Sequence, residues 1–193
     1  MVRHGQSTWN VEHRWQGQAN PPLSQRGRNQ AHAATSLVGA VDAVISSPQD
    51  RALETAAIIA NSIGVGPVQV VENLYERHIG VWSGMTTSEI EAAHPGWIDA
   101  QKRLDDWETD ESVFKRVTAA MFDIRANFPR ATLLVVTHGG VIAAIEKGLG
   151  TDEGRIPNLH GRIFTVDDGE IKVEERVELL PPELSTGGSR NRV

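Results

Sequence analysis

The 193-residue sequence contains no cysteine. Thiol nucleophiles, disulfides and thiolate metal sites are therefore excluded. No apolar run approaches the roughly 20 residues needed to span a bilayer. No hydrophobic leader opens the chain either, so a soluble, cytoplasmic protein is the expectation. The sequence has no Walker loop, no Gly-x-Ser-x-Gly elbow, and no His-x-x-His or His-Glu-x-x-His pair to begin a metal site. It lacks an excess of positive charge: the formal net charge is −6, which argues against a broad nucleic-acid footprint. A few arginines in one cleft could still hold a phosphorylated ligand. No internal repeat or linker is visible. The length suits one domain, placed at residues 1–180, followed by a Pro-, Ser-, Gly- and Arg-containing tail at 181–193 that is expected to be disordered.

The alternation of elements predicts an α/β fold, a three-layer sandwich with helices on both faces of a mostly parallel sheet. Residues 8–23 read as an irregular loop pinned by Trp9 and Trp15. Ser24 caps a predicted helix to Val38, with Gly39 as its stop. A buried strand is expected at Val41–Ile45, a helix at Asp50–Ile63 closed by Gly64, and a strand at Val68–Val71. A loop at 73–85 leads to a capping box, Thr86 with Glu89, which starts a short helix to His94. Trp97–Trp107 is predicted helical. Asp110 is expected to cap a helix over 111–128, where Val113, Phe114, Val117, Ala120, Met121, Ile124 and Phe128 recur at helical spacing. Thr132–Thr137 is a strand ending in His138-Gly139-Gly140, with a helix to Gly148. Residues 161–167 and 170–178 predict a hairpin closed by a type I′ turn at Asp168-Gly169.

The chemistry concentrates at strand ends. Arg3, His4 and Gly5 close the first strand, at the edge where open α/β sheets bind ligands. Arg3 suits a phosphate or carboxylate, and an imidazole beside it can act as nucleophile or acid/base. Only three residues precede His4. The expectation is either a shortened strand held by its neighbours or a numbered chain that begins inside its first strand. Ser46-Ser47-Pro48 with Arg51-Ala52 and Glu54-Thr55-Ala56 places an arginine at the start of a helix. Glu76 precedes Gly80, Trp82 and Gly84, and His138-Gly139 ends a later strand. His13, His32, His94 and His160 have no motif around them and are expected at the surface.

Those four stretches, in this order, resemble the histidine phosphatase superfamily, also called phosphoglycerate-mutase-like. Leu23-Ser24, Arg26-Gly27, Glu111-Ser112 and Arg116 fit the same pattern. The resemblance implies His4 as the nucleophile that becomes phosphohistidine, with its other ring nitrogen donating to a backbone carbonyl. It implies Glu76 as general acid and then base, and Arg3, Arg51 and His138 as the groups that hold the phosphoryl oxygens. Arg3 and Arg51 are expected to present bidentate donors, with Asn10 and Gly139 adding contacts. Gln16, Gly17 and Arg77 are placed near the substrate, and Lys102 and Arg103 are within possible reach. No metal and no cofactor are implied.

Water as acceptor of the phosphoryl group gives a phosphatase; a second substrate oxygen gives a mutase. The gap from Glu76 to His138 is 62 residues, short for the lid of a mutase, and His138-Gly139-Gly140-Val141 looks like the phosphatase branch. Glu76-Arg77-His78 before Gly80 looks like the mutase loop. The reading is a phosphomonoesterase, with a cofactor-dependent phosphoglycerate mutase second and a non-catalytic phospho-ligand binder third. The partner is a small phosphorylated metabolite, with no nucleic acid or membrane. An oligomer through the hairpin edge stays open.

Overall fold

A computed structural model describes residues 1–181 and 184; nearly all of the tail expected at 181–193 lies outside the described residues. One six-stranded sheet forms the centre. Its strands are β1 (Val2–Arg3), β2 (Ala43–Ser46), β3 (Gln69–Val70), β4 (Leu133–Thr137), β5 (His160–Asp167) and β6 (Glu170–Glu178), in the order β3-β2-β4-β1-β5-β6. The first four in that order are parallel; β5 runs antiparallel to β1 and pairs with β6 as a hairpin.

Alternation along the strands builds two cores. Val44, Leu134 and Val136 face one side, against α2 (Gln25–Ala34) and α3 (Asp50–Ile63) through Ala34, Ala52, Ala56 and Ile59. Ile45 and Val135 face the other, against α5 (Asp110–Asn127) and α6 (Gly139–Gly148) through Val113, Val117, Val141 and Ile145. Two covered faces let these strands read as continuous apolar runs. β1 has only two residues, yet it is paired on both sides: Val2 opposite Val136 and Gly161, Arg3 opposite Thr137.

Several local expectations need correction. Residues 8–23 are not wholly irregular: Thr8–Val11 forms α1, because the Ser7 side chain accepts from Asn10 N while Asn10 Oδ1 accepts from Ser7 N. That is a capping box with Asn in place of Glu or Gln. α2 stops at Ala34 rather than Val38, where the hydroxyls of Thr35 and Ser36 donate to the carbonyls of His32 and Ala33 and compete with helix propagation. Residues 97–107 form turns, not a helix. Gln101 takes a left-handed φ of 53°, which ends any helical run. Thr109, not Asp110, caps α5. The hairpin turn is not type I′: Gly169 has φ 86°, but Asp168 is not in the left-handed region that type I′ also demands.

The 97–107 segment is held by its side chains instead. Trp97, Ile98, Leu104 and Trp107 pack on Trp15, Ile79, Trp82 and Ile90. Trp15 and Trp107 both stand edge-on to Trp82, at centroid distances of 5.7 and 5.6 Å. α4 (Thr87–Ala93) joins this third cluster through Ile90. His94 also packs here, against Trp82 and Trp97, and His160 is half-buried on β5 beside Glu178. Neither is the plain surface residue expected.

Candidate active site

The carboxyl ends of β1, β2 and β4 converge on a cleft of about 790 Å³. This volume is ordinary for a small-molecule site. Arg3 and His4 arrive at the end of β1 and Arg51 from the first turn of α3, all lining the cleft; His138, the N-cap of α6, is buried beside His4 and is not among the lining residues. The two imidazoles meet edge-on with centroids 5.2 Å apart, and both are buried.

The tautomer of His4 follows from its contacts. Nδ1 lies 2.6 Å from the Gly5 carbonyl, so Nδ1 carries the proton and donates. Nε2 then has a free lone pair, which accepts from Arg51 Nε at 3.1 Å. Burial, then the charges of Arg51 and Arg3, hold His4 well below its ordinary value of 6.5, against the opposing Gly5 bond. His138 is pushed down in the same way, by burial first and then by Arg51. Both rings are therefore neutral at neutral pH. His138 Nε2 lies 2.7 Å from Ser47 Oγ, while its buried Nδ1 has no partner among the described residues.

Both arginines sit where burial disfavours their charge, and each is pushed down to about 10. The Glu76 charge opposes that shift in both cases. Arg3 Nη1 donates to the Ile156 carbonyl at 2.8 Å, and its buried Nε has no partner among the described residues. Arg51 does not present an open fork. Its Nη1 donates to the Ala19 carbonyl at 2.7 Å and its Nη2 to the Gly17 carbonyl at 3.0 Å. The expectation of two bidentate phosphate donors is thus corrected: the loop at 17–19 has claimed the Arg51 fork, leaving Nε against the nucleophile.

Glu76 accepts from its neighbour Arg77 N at 2.8 Å and from Gly140 N, in the first turn of α6, at 3.2 Å. The pair of glycines after His138 has a steric reason, since a Cβ at Gly140 would lie 2.6 Å from Glu76 Oε1. Gly139 lines the cleft beside Arg3, and Asn10 lines it with Oδ1 engaged by Ser7 N and Asn158 Nδ2. Gln16 accepts from Ser7 Oγ at 2.8 Å, and Gly17 is a left-handed residue packed on Ile79; both line the cleft. Arg77 lines it too, but its side chain is spent on the Glu108 carbonyl and Asp110. Arg103 reaches the rim, with its guanidinium 5.1 Å from the Trp107 ring; Lys102 is not among the lining residues. His13, expected only at the surface, is exposed and also borders the cleft.

Sequence reasoning missed the residues that hold these groups in place. Gln49 accepts from Glu76 N at 2.7 Å and donates to the Gly17 and Ala19 carbonyls. Thr55 Oγ1 accepts from Gly5 N, and Asn158 Nδ2 donates to the His4 carbonyl. Ser47 and Thr55 had a signal, since both lie in the Ser46-Ser47-Pro48 and Glu54-Thr55-Ala56 pattern around Arg51; Gln49 and Asn158 had none. Arg155 and Lys147 also line the cleft.

The chain belongs to the histidine phosphatase superfamily: the model of its branch 1 matches residues 1–175. Among its relatives is the glucosyl-3-phosphoglycerate phosphatase of Mycolicibacterium vanbaalenii, 34% identical over 163 residues, 77% of this chain and 72% of that protein. Phosphoglycerate mutase-like protein 4 of Arabidopsis thaliana is 30% identical over 88% of this chain and 80% of its own length. Of solved structures, Bacillus stearothermophilus YhfR superposes with a TM-score of 0.79 at 30% identity, covering 95% of this chain and 96% of that one. The match fits the phosphatase reading, and no described helix is long and apolar enough to cross a membrane.

Proposed function

We propose that His4, Glu76, Arg3, Arg51 and His138 carry out phosphomonoester hydrolysis within one domain spanning residues 1–180, on a small phosphorylated metabolite in the cytoplasm. The observation that carries the reading is the state of His4. Its ring is buried and neutral, with Nδ1 tied to a carbonyl and the Nε2 lone pair directed at the Arg51 guanidinium.

The mechanism follows in two displacements. The substrate phosphate takes the Arg51 Nε–H from His4 and meets the unpartnered Arg3 Nε and His138 Nδ1. Nε2 attacks phosphorus in line with the ester oxygen. The P–O bond breaks, and protonated Glu76 gives its proton to the departing alkoxide. Water then attacks the phosphohistidine, Glu76 takes the water's proton, and the N–P bond breaks to release inorganic phosphate. The buried cations act on charge as it spreads over the transferring oxygens.

The cleft is large enough for the alcohol of a sugar phosphate or phosphoglycerate, and a relative is named for a substrate of that kind. The test is phosphate release from an aryl phosphate and from 3-phosphoglycerate, with a chelator present, for wild type and His4→Ala. Release that survives the chelator and falls at least about 10³-fold in His4→Ala supports the reading. Unchanged release in His4→Ala sinks it. Conversion of 3-phosphoglycerate to its 2-isomer without release would make the protein a mutase.

A further inference from the structure

We propose that Arg176, on the outer strand of the hairpin, is a positioning residue for phosphate binding, because it holds residues 153–158 as a strap that fixes Arg3 and His4. The proposal rests on the site reading above.

The strap runs past the phosphate end of the cleft. The Ile156 carbonyl accepts from Arg3 Nη1 at 2.8 Å, Leu159 N donates to the Arg3 carbonyl at 3.0 Å, and Asn158 Nδ2 donates to the His4 carbonyl at 2.9 Å. Arg155, between these contacts and Gly154, lines the cleft, and its charge acts on Arg3. The strap is thus in contact with both residues of the Arg-His pair, yet residues 152–155 are exposed and belong to no helix or strand. An exposed segment of this kind needs an external tether to hold one conformation.

Arg176 is that tether. Its Nη1 donates to the Glu153 carbonyl at 3.1 Å and its Nη2 to the Gly154 carbonyl at 2.9 Å. The same guanidinium reaches inward to Glu146 of α6, with Nη2 2.6 Å from Oε2 and Nε 3.1 Å from Oε1. Glu146 is 1% exposed and also accepts from Arg162 Nε at 2.6 Å. Glu153 closes the circuit, 2.6 Å from Arg162 Nη2 and 3.4 Å from Arg176 Nε. Two arginines therefore balance two glutamates, and α6, the helix that begins at His138, supplies the buried anchor. A purely electrostatic role would require only a cation opposite Glu146. The two carbonyl contacts require the planar fork, because a lysine ammonium cannot span them while facing Glu146.

The variants to compare are Arg176→Lys and Arg176→Met, with an aryl phosphate as substrate and inorganic phosphate as competitive inhibitor. In Arg176→Lys the charge balance persists while the strap carbonyls are released. KM and the phosphate inhibition constant should each rise about tenfold, with kcat changed less than about threefold, since a weakened phosphate grip is felt by bound substrate and transition state alike. Amide exchange at 153–158 should accelerate while that of α5 stays unchanged. If Arg176→Met does not fold, Arg176→Lys and Glu153→Gln carry the test. Wild-type KM and inhibition constant in Arg176→Lys would overturn the strap while leaving the site intact. Phosphate release that persists in His4→Ala would instead overturn the site itself.

Discussion

Ser47 Oγ, immediately after β2, sits 2.7 Å from Nε2 of His138, the N-cap of α6. Ser47 Oγ also faces Gln49 N–H at 3.4 Å, so its lone pair is directed there and its proton is available to the imidazole. That assignment leaves the His138 proton on Nδ1, the atom with no partner among the described residues. A neutral histidine can thus donate to a phosphoryl oxygen. Ser47→Ala removes the tautomer lock at little steric cost. We expect kcat/KM to fall about tenfold, with about 1 kcal/mol or less lost in urea unfolding. Unchanged kcat/KM would show that the hydroxyl does not set the tautomer.

Gly140→Ala tests the placement of the acid. The added methyl would stand 2.6 Å from Glu76 Oε1, so the carboxylate must leave its amide contacts. Steady-state kinetics should show kcat down about 10²-fold, with a smaller change in KM. Wild-type kcat would remove Glu76 from the chemistry.

Gly17→Ala tests the loop that occupies Arg51. Gly17 has φ 50°, and a Cβ there would lie 2.5 Å from Ile79 Cγ1. Backbone strain and overpacking together should cost about 1–3 kcal/mol in the urea midpoint analysis. A cost below about 0.5 kcal/mol would mean that the loop relaxes freely.

Stability should fall in acid because two histidines are buried neutral. Each has a folded value well below 6.5, so below pH 6.5 the unfolded chain binds protons that the folded chain refuses. Unfolding free energy therefore drops as pH falls from 6.5, by up to about 1.4 kcal/mol per pH unit for each histidine. Urea titrations at pH 7.5, 6.5 and 5.5 measure it. His138→Asn should roughly halve the slope, and a flat wild-type profile would contradict the burial argument.

The architecture was legible because apolar runs give way at strand ends to Arg-His-Gly, Ser-Ser-Pro and His-Gly-Gly, and the structure brings Arg3, His4, Arg51 and Glu76 to one cleft with His138 beside His4. α3 and the strand before His138 stand where periodicity put them. What the sequence concealed depends on distant partners. Segment 97–107 reads as helical only on a poor apolar period, and the packing on Trp82 decided against it. Asp110 looked like a cap, but Arg77 and Lys147 take its carboxylate, and Thr109 does the capping. Arg51 was found, but not its occupancy, because the carbonyls of Gly17 and Ala19 lie more than 30 residues earlier in the chain. Arg176 had no signal at all, since its role comes from contacts with Glu146 and the strap across the hairpin.

The two-residue strand β1 also sets the order in which the protein can become active. Val2 is flanked by Val136 on one side and Gly161 on the other. The nucleophile follows a strand too short to be stable without its neighbours. Its strand partners lie more than 130 residues downstream, so the nucleophile is fixed only once β4 and β5 have formed. Pairings over such separations slow folding. A nascent chain that stops before residue 160 would carry every catalytic side chain and still lack the strand that fixes two of them.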